Sequence, residues 1–392
     1  MEEAKEREKG VGVMSIVIKG LFADRRGVFR AQVKISNGAI TRVAKSGLKG
    51  DSVIKIPSGC LCLPGFVDIH THLREPGFEY KEDFETGSMA AINGGVTMMF
   101  DMPNNIPPTD SFERLREKER LAEKSIVPIK FYQTFGESGI DRRLRGPFKV
   151  FLSKTTGAEN NEKCVKYFMN KTVAFHCETP NMKQSSMSEI LAVSKALKLS
   201  YGNRITPIIC HASARGSIYL INRARKKMCV YCEVTPHHLF FTETDRNELL
   251  TMNPPLRERR DRDYLLSAVK SGSVDFLATD HAPHTLEDKE DGCRGVPGLD
   301  TYAPFVCWLI DRGVDIKRII ELTSYNASKL FSLNRGVIKS GYNGSLTVLD
   351  LRKDYVVNAD ELKTKCGWSP FEGIAFPGKT HGVVVDGEYW GS

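Results

Sequence analysis

Hydrophobic and polar positions follow two different rhythms along this chain. Between residues 14 and 63, short alternating stretches at 15–19, 31–35, 40–43 and 52–56 are separated by Gly, Asn and Asp. That pattern predicts β-strands joined by tight turns. It returns at the other end, in 345–349, 381–385 and 388–390. The long middle differs. Eight short apolar runs rich in β-formers occupy 66–69, 97–102, 128–134, 148–152, 173–177, 207–210, 229–234 and 274–278. Helix-like stretches such as 111–123, 186–199, 214–227 and 261–271 lie between most of them. Alternation of this kind predicts an α/β fold, a (β/α)8 barrel of TIM type over 64–336. A small β-sandwich module built from both termini, 14–63 plus 337–392, is expected beside it. Residues 1–13 read as a disordered extension, with the folded part starting near Met14. The first ten residues are charged and lack an apolar core, so they do not read as a secretory signal.

Composition narrows the class without naming it. The chain has 392 residues, 41% hydrophobic and 27% charged, with 56 Lys+Arg against 48 Asp+Glu for a net charge of +8. The basic residues are scattered, so no nucleic-acid face is expected. No apolar run is long enough for a membrane span. A mild positive excess suits a small anionic substrate. Ten cysteines without an export signal fit free thiols in a reducing cytoplasm. Cys60 and Cys62, and the CxxC of Cys229 and Cys232, lie in apolar runs with no second pair at zinc-knuckle spacing, so both pairs are expected in the core.

Placing polar residues on this plan changes the picture. His70 and His72 follow the first barrel strand, Asn104 follows the second and His211 ends the sixth. Lys149 lies in the fourth and His176 ends the fifth. Asp280, His281 and His284 follow the eighth. Active sites of such barrels lie at the C-terminal strand ends. Six of the nine histidines fall there. The side chains of His70-x-His72 in an extended segment share one side, because side chains repeat every second residue. His176, His211 and Asp280 add ligand types suited to Zn²⁺. Other residues have plainer readings. His237 or His238 either supports the site or bonds backbone, His281 is structural, His381 is exposed, and Phe305 and Trp308 are core.

Four motifs carry a resemblance. Gly65-Phe-Val-Asp-Ile-His70-Thr-His72-Leu-Arg74-Glu-Pro-Gly77, Asp101-Met-Pro-Asn104-Asn, Asn253-Pro-Pro-Leu and Thr279-Asp280-His-Ala-Pro-His284-Thr together resemble the dihydroorotase family of the amidohydrolase superfamily. The likeness runs from about residue 15 to the end and includes Ser369-Pro-Phe-Glu-Gly. The HxH pattern belongs to the whole superfamily, whereas Arg74, Asn104 and His284 are more specific.

The resemblance implies two Zn²⁺ ions, one held by His70 and His72, the other by His176 and His211, with a carbamylated Lys149 bridging them. Asp280 would ligate the first ion and act as general acid and base. Arg74, Asn104 and His284 would hold a substrate carboxylate. His72, Asn253 and the backbone near Arg294 and Gly295 would add substrate contacts. Thr155, in the polar run 153–158, would lie in a loop over the substrate. The implied reaction is the reversible cyclisation of N-carbamoyl-L-aspartate to L-dihydroorotate, a cytoplasmic step of pyrimidine synthesis. Two alternatives stand beside it. A hydantoinase or allantoinase would keep fold and metals but leave Arg74 unpaired. A silent scaffold would be expected to lose metal ligands, and here every ligand position is filled. The oligomeric state stays open, with a homodimer among the alternatives.

Overall fold

The structure is a computed structural model that describes residues 15–136, 139–153, 162–180, 182, 184–352 and 354–391. The expected N-terminal extension and Thr155 lie outside the described residues. Strands β1 (Ser15–Asp24), β2 (Gly27–Ser36), β3 (Ala39–Ala44), β4 (Ser52–Lys55) and β5 (Cys60–Pro64) come first. The barrel strands follow: β6 (Phe66–Thr71), β7 (Val96–Asp101), β8 (Ile129–Phe131), β9 (Phe148–Phe151), β10 (Thr172–His176), β11 (Thr206–Ile209), β12 (Tyr231–Val234) and β13 (Phe276–Leu277). Last come β14 (Leu346–Asp350), β15 (Tyr355–Val356), β16 (Ala375–Phe376), β17 (Lys379–Val385) and β18 (Glu388–Gly391).

The eight barrel strands coincide with the eight apolar runs to within a few residues. They pair in parallel as β6-β7-β8 and as β9-β10-β11-β12-β13. Single bridges join these two groups, Gln133 to Phe148 on one side and Thr71 to His281 on the other. Strand parity explains why so little backbone pairing suffices. Val67, Ile69, Met98, Phe100, Ala174, Ile208 and Phe276 share one apolar cluster inside the barrel. Their neighbours Phe66, Met99, Phe148, Val150, Phe175, Ile209 and Leu277 belong to another, larger cluster. That cluster also holds buried residues of helices α1 (Phe84–Asn93), α3 (Ser186–Gly202), α4 (Arg215–Ala224), α5 (Pro236–Phe240) and α6 (Arg259–Ser271), while α2 (Phe112–Leu121) packs against it through the partly buried Leu115 and Leu121. No helix among the described residues is long and apolar enough to cross a membrane.

Both termini share one sheet, in the order β18-β17-β14-β5-β1-β2-β3, with β4 alongside β1. Alternation again sorts the faces. In β5, Cys60 and Cys62 join the core of this sheet with Ile18, Val33, Leu346 and Val384, while Leu61 and Leu63 join the barrel cluster. The sheet therefore packs against the barrel through every second residue. Not all of 337–392 stays in it. The stretch carrying β15 and β16 lies on the barrel, where Trp368 and Phe371 are buried in the barrel cluster. Trp368 Nε1 donates to the carbonyl of His284 at 2.7 Å, which ties this stretch to the back of the site. Two smaller expectations fail. Cys229 is exposed, while Cys60, Cys62 and Cys232 are buried. His381 is half-buried.

Candidate active site

The barrel mouth holds a cleft. His70, His72, Arg74, Asn104, Lys149, His176, His211, Asn253, Asp280, Arg294 and Gly295 all line it. His284 does not.

Local structure places each group. The rings of His70 and His72 lie 5.3 Å apart. Both present Nε2 to the same atom, Asp280 Oδ1, at 3.2 Å. Lys149 stands between Phe148 and Val150, which face outward, so its side chain faces the cleft. It is 1% exposed, and its Nζ donates to Cys210 Sγ at 2.9 Å. No carboxylate of the described residues lies within ion-pair distance of it. His176 Nδ1 meets His211 Nε2 at 2.9 Å, and His176 Nε2 meets Glu178 Oε2 at 3.0 Å. Parity alone would turn His211 away, because Ile208 and Cys210 are the inward residues of its strand. A left-handed backbone, φ 35°, turns it back toward the cleft. Asp280 and Arg74 are left-handed as well, at φ 48° and 66°. Three non-glycine residues in this sparsely populated region at one site are held there by the surrounding structure.

Electrostatics prepare the donors. Burial, then the charge of Lys149, holds the His70 imidazole down to about 3. Burial first, and neighbouring cationic groups after it, also keep His72 and His211 well below the usual histidine range. Neutral imidazoles present the lone pair that a cation needs. Glu233 lies beneath them. Its Oε1 contacts His70 Nδ1 and accepts from the backbone N–H of His211 at 3.1 Å. Its Oε2 has no hydrogen-bond partner among the described residues. Burial pushes this carboxyl up to about 8. Atoms of His70, His211 and Asp280 lie within 4.8 Å of one another, as do those of His70, Cys210 and Glu233. Nitrogen and carboxylate donors at this spacing fit a borderline divalent cation such as Zn²⁺.

Three positions of the outer wall are already engaged by protein groups. His284 is fully buried behind Arg74 because its ring nitrogens are engaged by Arg74 and Lys81. Gly295 lines the cleft, but its N–H donates to the Thr251 carbonyl at 2.9 Å and its carbonyl accepts from Lys289 at 3.0 Å, so its backbone is already engaged. A side chain there would meet the Ala282 carbonyl at 2.5 Å, which is why glycine stands at this close approach. Arg294 is exposed at the rim, where its guanidinium contacts Gln184 and, at 3.1 Å, Asn253 Oδ1. Asn104 hydrogen-bonds His72. His238 binds backbone, its Nε2 facing the Pro254 carbonyl at 2.9 Å, and His281 sits at 3.3 Å from buried Glu82. His237 lines the cleft.

Glu233, Glu178, Gln184 and Lys81 were not anticipated. Glu233 had a readable signal, a carboxylate inside the apolar run 229–234. Gln184 and Lys81 depend on contacts between distant segments, whereas Glu178 stands two residues past His176.

A closed parallel barrel whose mouth gathers five imidazoles, a lysine and an aspartate defines the class, and comparison with known proteins agrees with it. The amidohydrolase family model matches residues 61–198 and 149–389. A dihydroorotase from Pyrococcus furiosus is 32% identical, covering 96% of this chain and 92% of its own. One from Pyrococcus abyssi is 33% identical over 96% and 94%, and one from Methanosarcina acetivorans 32% over 88% and 85%. Among solved structures, an L-hydantoinase from Arthrobacter aurescens superposes with a TM-score of 0.89 at 22% identity, covering 96% of both chains. A D-hydantoinase from Thermus sp. gives 0.86 at 22%, covering 95% of this chain and 94% of its own. At such identities the structural likeness speaks for the fold. The chain belongs to the amidohydrolase family and, within it, to the dihydroorotases.

Proposed function

We propose that this cyclic-amide hydrolase interconverts L-dihydroorotate and N-carbamoyl-L-aspartate with two Zn²⁺ ions at the barrel mouth. One observation carries the choice of substrate. Arg74 lines the cleft at 4% exposure, and no carboxylate of the described residues lies within ion-pair distance of it. A buried guanidinium without an anion is costly. A ring substrate that brings its own carboxylate supplies that anion, whereas a hydantoin with a neutral substituent leaves the cost standing.

His70, His72, His176, His211 and Asp280 would hold the cations, with Lys149 carrying a carbamate that bridges them. Burial of a lysine without an acidic partner supports that reading, because a carbamate replaces an uncompensated cation with an anion. When bound, the ions supply an acidified water and polarise the ring carbonyl. Arg74 would fix the carboxylate through its flat guanidinium fork, and Asn104 would add a neutral donor beside it. Asp280, open to the cleft, would take the proton of the attacking water and deliver it to the ring nitrogen as the C–N bond breaks. In the reverse direction it would take the proton from the carbamoyl nitrogen, and the ring closes with loss of water. We assign the catalytic barrel to 64–336 and the module to 14–63 plus 337–392. The ten unpaired cysteines support work in a reducing cytoplasm.

The test is a rate comparison on metal-quantified protein. Dihydroorotate should turn over with a kcat/KM at least tenfold above hydantoin and allantoin. Equal or faster hydantoin turnover would overturn the substrate.

A further inference from the structure

His284 poses a problem that its own hydrogen bonds state. Its Nε2 lies 3.1 Å from Arg74 Nη2, and its Nδ1 lies 3.0 Å from Lys81 Nζ. Guanidinium and ammonium groups are donors only. A neutral imidazole has one lone pair, so it can accept from one of them and not both. Protonating the ring would remove even that lone pair. Burial, with the charges of Arg74 and Lys81 behind it, instead holds His284 in the neutral form, down to about 2.

Geometry decides which donor prevails. Lys81 is buried and anchored from the far side, its Nζ 3.1 Å from Asp288 Oδ1. Asp288 is itself fixed by the backbone N–H of Thr285, at 3.0 Å to Oδ2. The nearest approach of Asp288 to His284 Nδ1 is 3.8 Å, too long for a competing hydrogen bond. Arg74 is held in place without that contact, because its Nε donates to the Pro283 carbonyl at 3.1 Å. We propose that Lys81 is a positioning residue that fixes the tautomer of His284, with Nδ1 accepting from Lys81 and Nε2 carrying the proton. His284 Nε2 then carries its own proton and cannot accept from Arg74 Nη2, 3.1 Å away. Arg74 lines the cleft, so its Nη2–H stays available to an anion entering there instead of being consumed by His284. Lys81 thereby acts on the substrate without touching it.

The anion that Arg74 would receive rests on the proposed substrate, but the tautomer does not, and the experiment separates them. Two-bond ¹H–¹⁵N correlation spectra of the histidine rings, recorded on the full chain without substrate and with His284→Asn to assign the signal, report the protonated nitrogen directly. The wild-type protein should show an Nε2–H His284. Lys81→Met should shift it to the Nδ1–H form or to a mixture, and Lys81→Arg should restore it. An Nδ1–H ring in the wild-type protein would overturn the proposal without any variant. So would an unchanged Nε2–H ring in folded Lys81→Met. In kinetics with dihydroorotate, Lys81→Met should raise KM roughly tenfold to a hundredfold with a far smaller change in kcat, the scale of one hydrogen bond to a charged group. A switched tautomer with unchanged KM would leave the Lys81 assignment standing and reject the carboxylate substrate instead.

Discussion

His176 and His211 face each other ring nitrogen to ring nitrogen, Nδ1 to Nε2 at 2.9 Å, with both side chains buried. Only something positive fits between two imidazole lone pairs, either one shared proton or a cation. Burial and the surrounding positive groups keep His211 neutral, which leaves its lone pair available. Replacing His211 by Ala should therefore remove about one of two zinc equivalents. Metal quantification after gel filtration reads this directly. Two full equivalents in the variant would show that this pair is no ligand.

Asp280 touches both His70 and His72 through a single oxygen, at 3.2 Å from each. Its substitution by Ala should disturb both the first metal position and proton transfer. General acid and base work alone is worth roughly 10²–10⁴ in rate. Turnover should fall at least that far in both directions. Retention of more than a tenth of the wild-type rate would remove Asp280 from the mechanism.

Much of this site was legible because period and position sufficed. His70 and His72 share a face two residues apart, Lys149 sits between two outward phenylalanine and valine neighbours, and Asp280 follows the last apolar run. Those inferences need only local geometry. What the sequence did not show about these residues has a different cause. His211 reaches the cleft through a left-handed φ that strand parity does not anticipate. His284 lies behind Arg74 because Lys81, some two hundred positions earlier, reaches its other nitrogen. Gly295 looks available in sequence, yet Thr251 and Lys289 consume its backbone groups. The stretch around Trp368 left the terminal sheet because its aromatic rings bury better against the barrel. Each of these depends on which distant segment becomes a neighbour.

Glu233 contacts His70 on the nitrogen opposite the one facing Asp280. A carboxyl group there fixes the ring's orientation, and such partners of metal-binding imidazoles are worth about 10–100-fold in metal affinity. Glu233→Gln should thus weaken zinc binding by that factor while leaving the fold intact. Competition with a chelator measures it. Unchanged affinity would reduce Glu233 to a support for the His211 backbone.

Arg74 follows His72 by two residues, but its guanidinium bonds the Pro283 carbonyl and faces His284. It touches no candidate metal ligand by a hydrogen bond. Arg74→Met should raise KM for dihydroorotate about tenfold or more, with zinc content unchanged. Loss of zinc with an unaltered KM would make the arginine structural.

Lys118 and Asp101 form the ion pair that holds the outer loops in place. Both are buried, with Nζ 2.5 Å from Oδ2. Lys118 also donates to the Met102 carbonyl at 2.9 Å and to Asn105. Asp101 accepts the backbone N–H of Leu73 at 2.6 Å. The pair therefore ties together the segments that carry Arg74 and Asn104. Removing one member of a buried pair strands the other charge, at a cost of about 3–5 kcal/mol. Lys118→Met should lower stability by that amount, read from the urea midpoint at constant slope. Adding Asp101→Asn should recover part of the loss, since the stranded charge goes with it. KM should nonetheless stay raised in the double variant, because the Met102 carbonyl and Asn105 lose their donor whatever stands at 101. A double variant less stable than Lys118→Met alone would mean that Asp101 acts chiefly through Leu73 and not as a counter-charge.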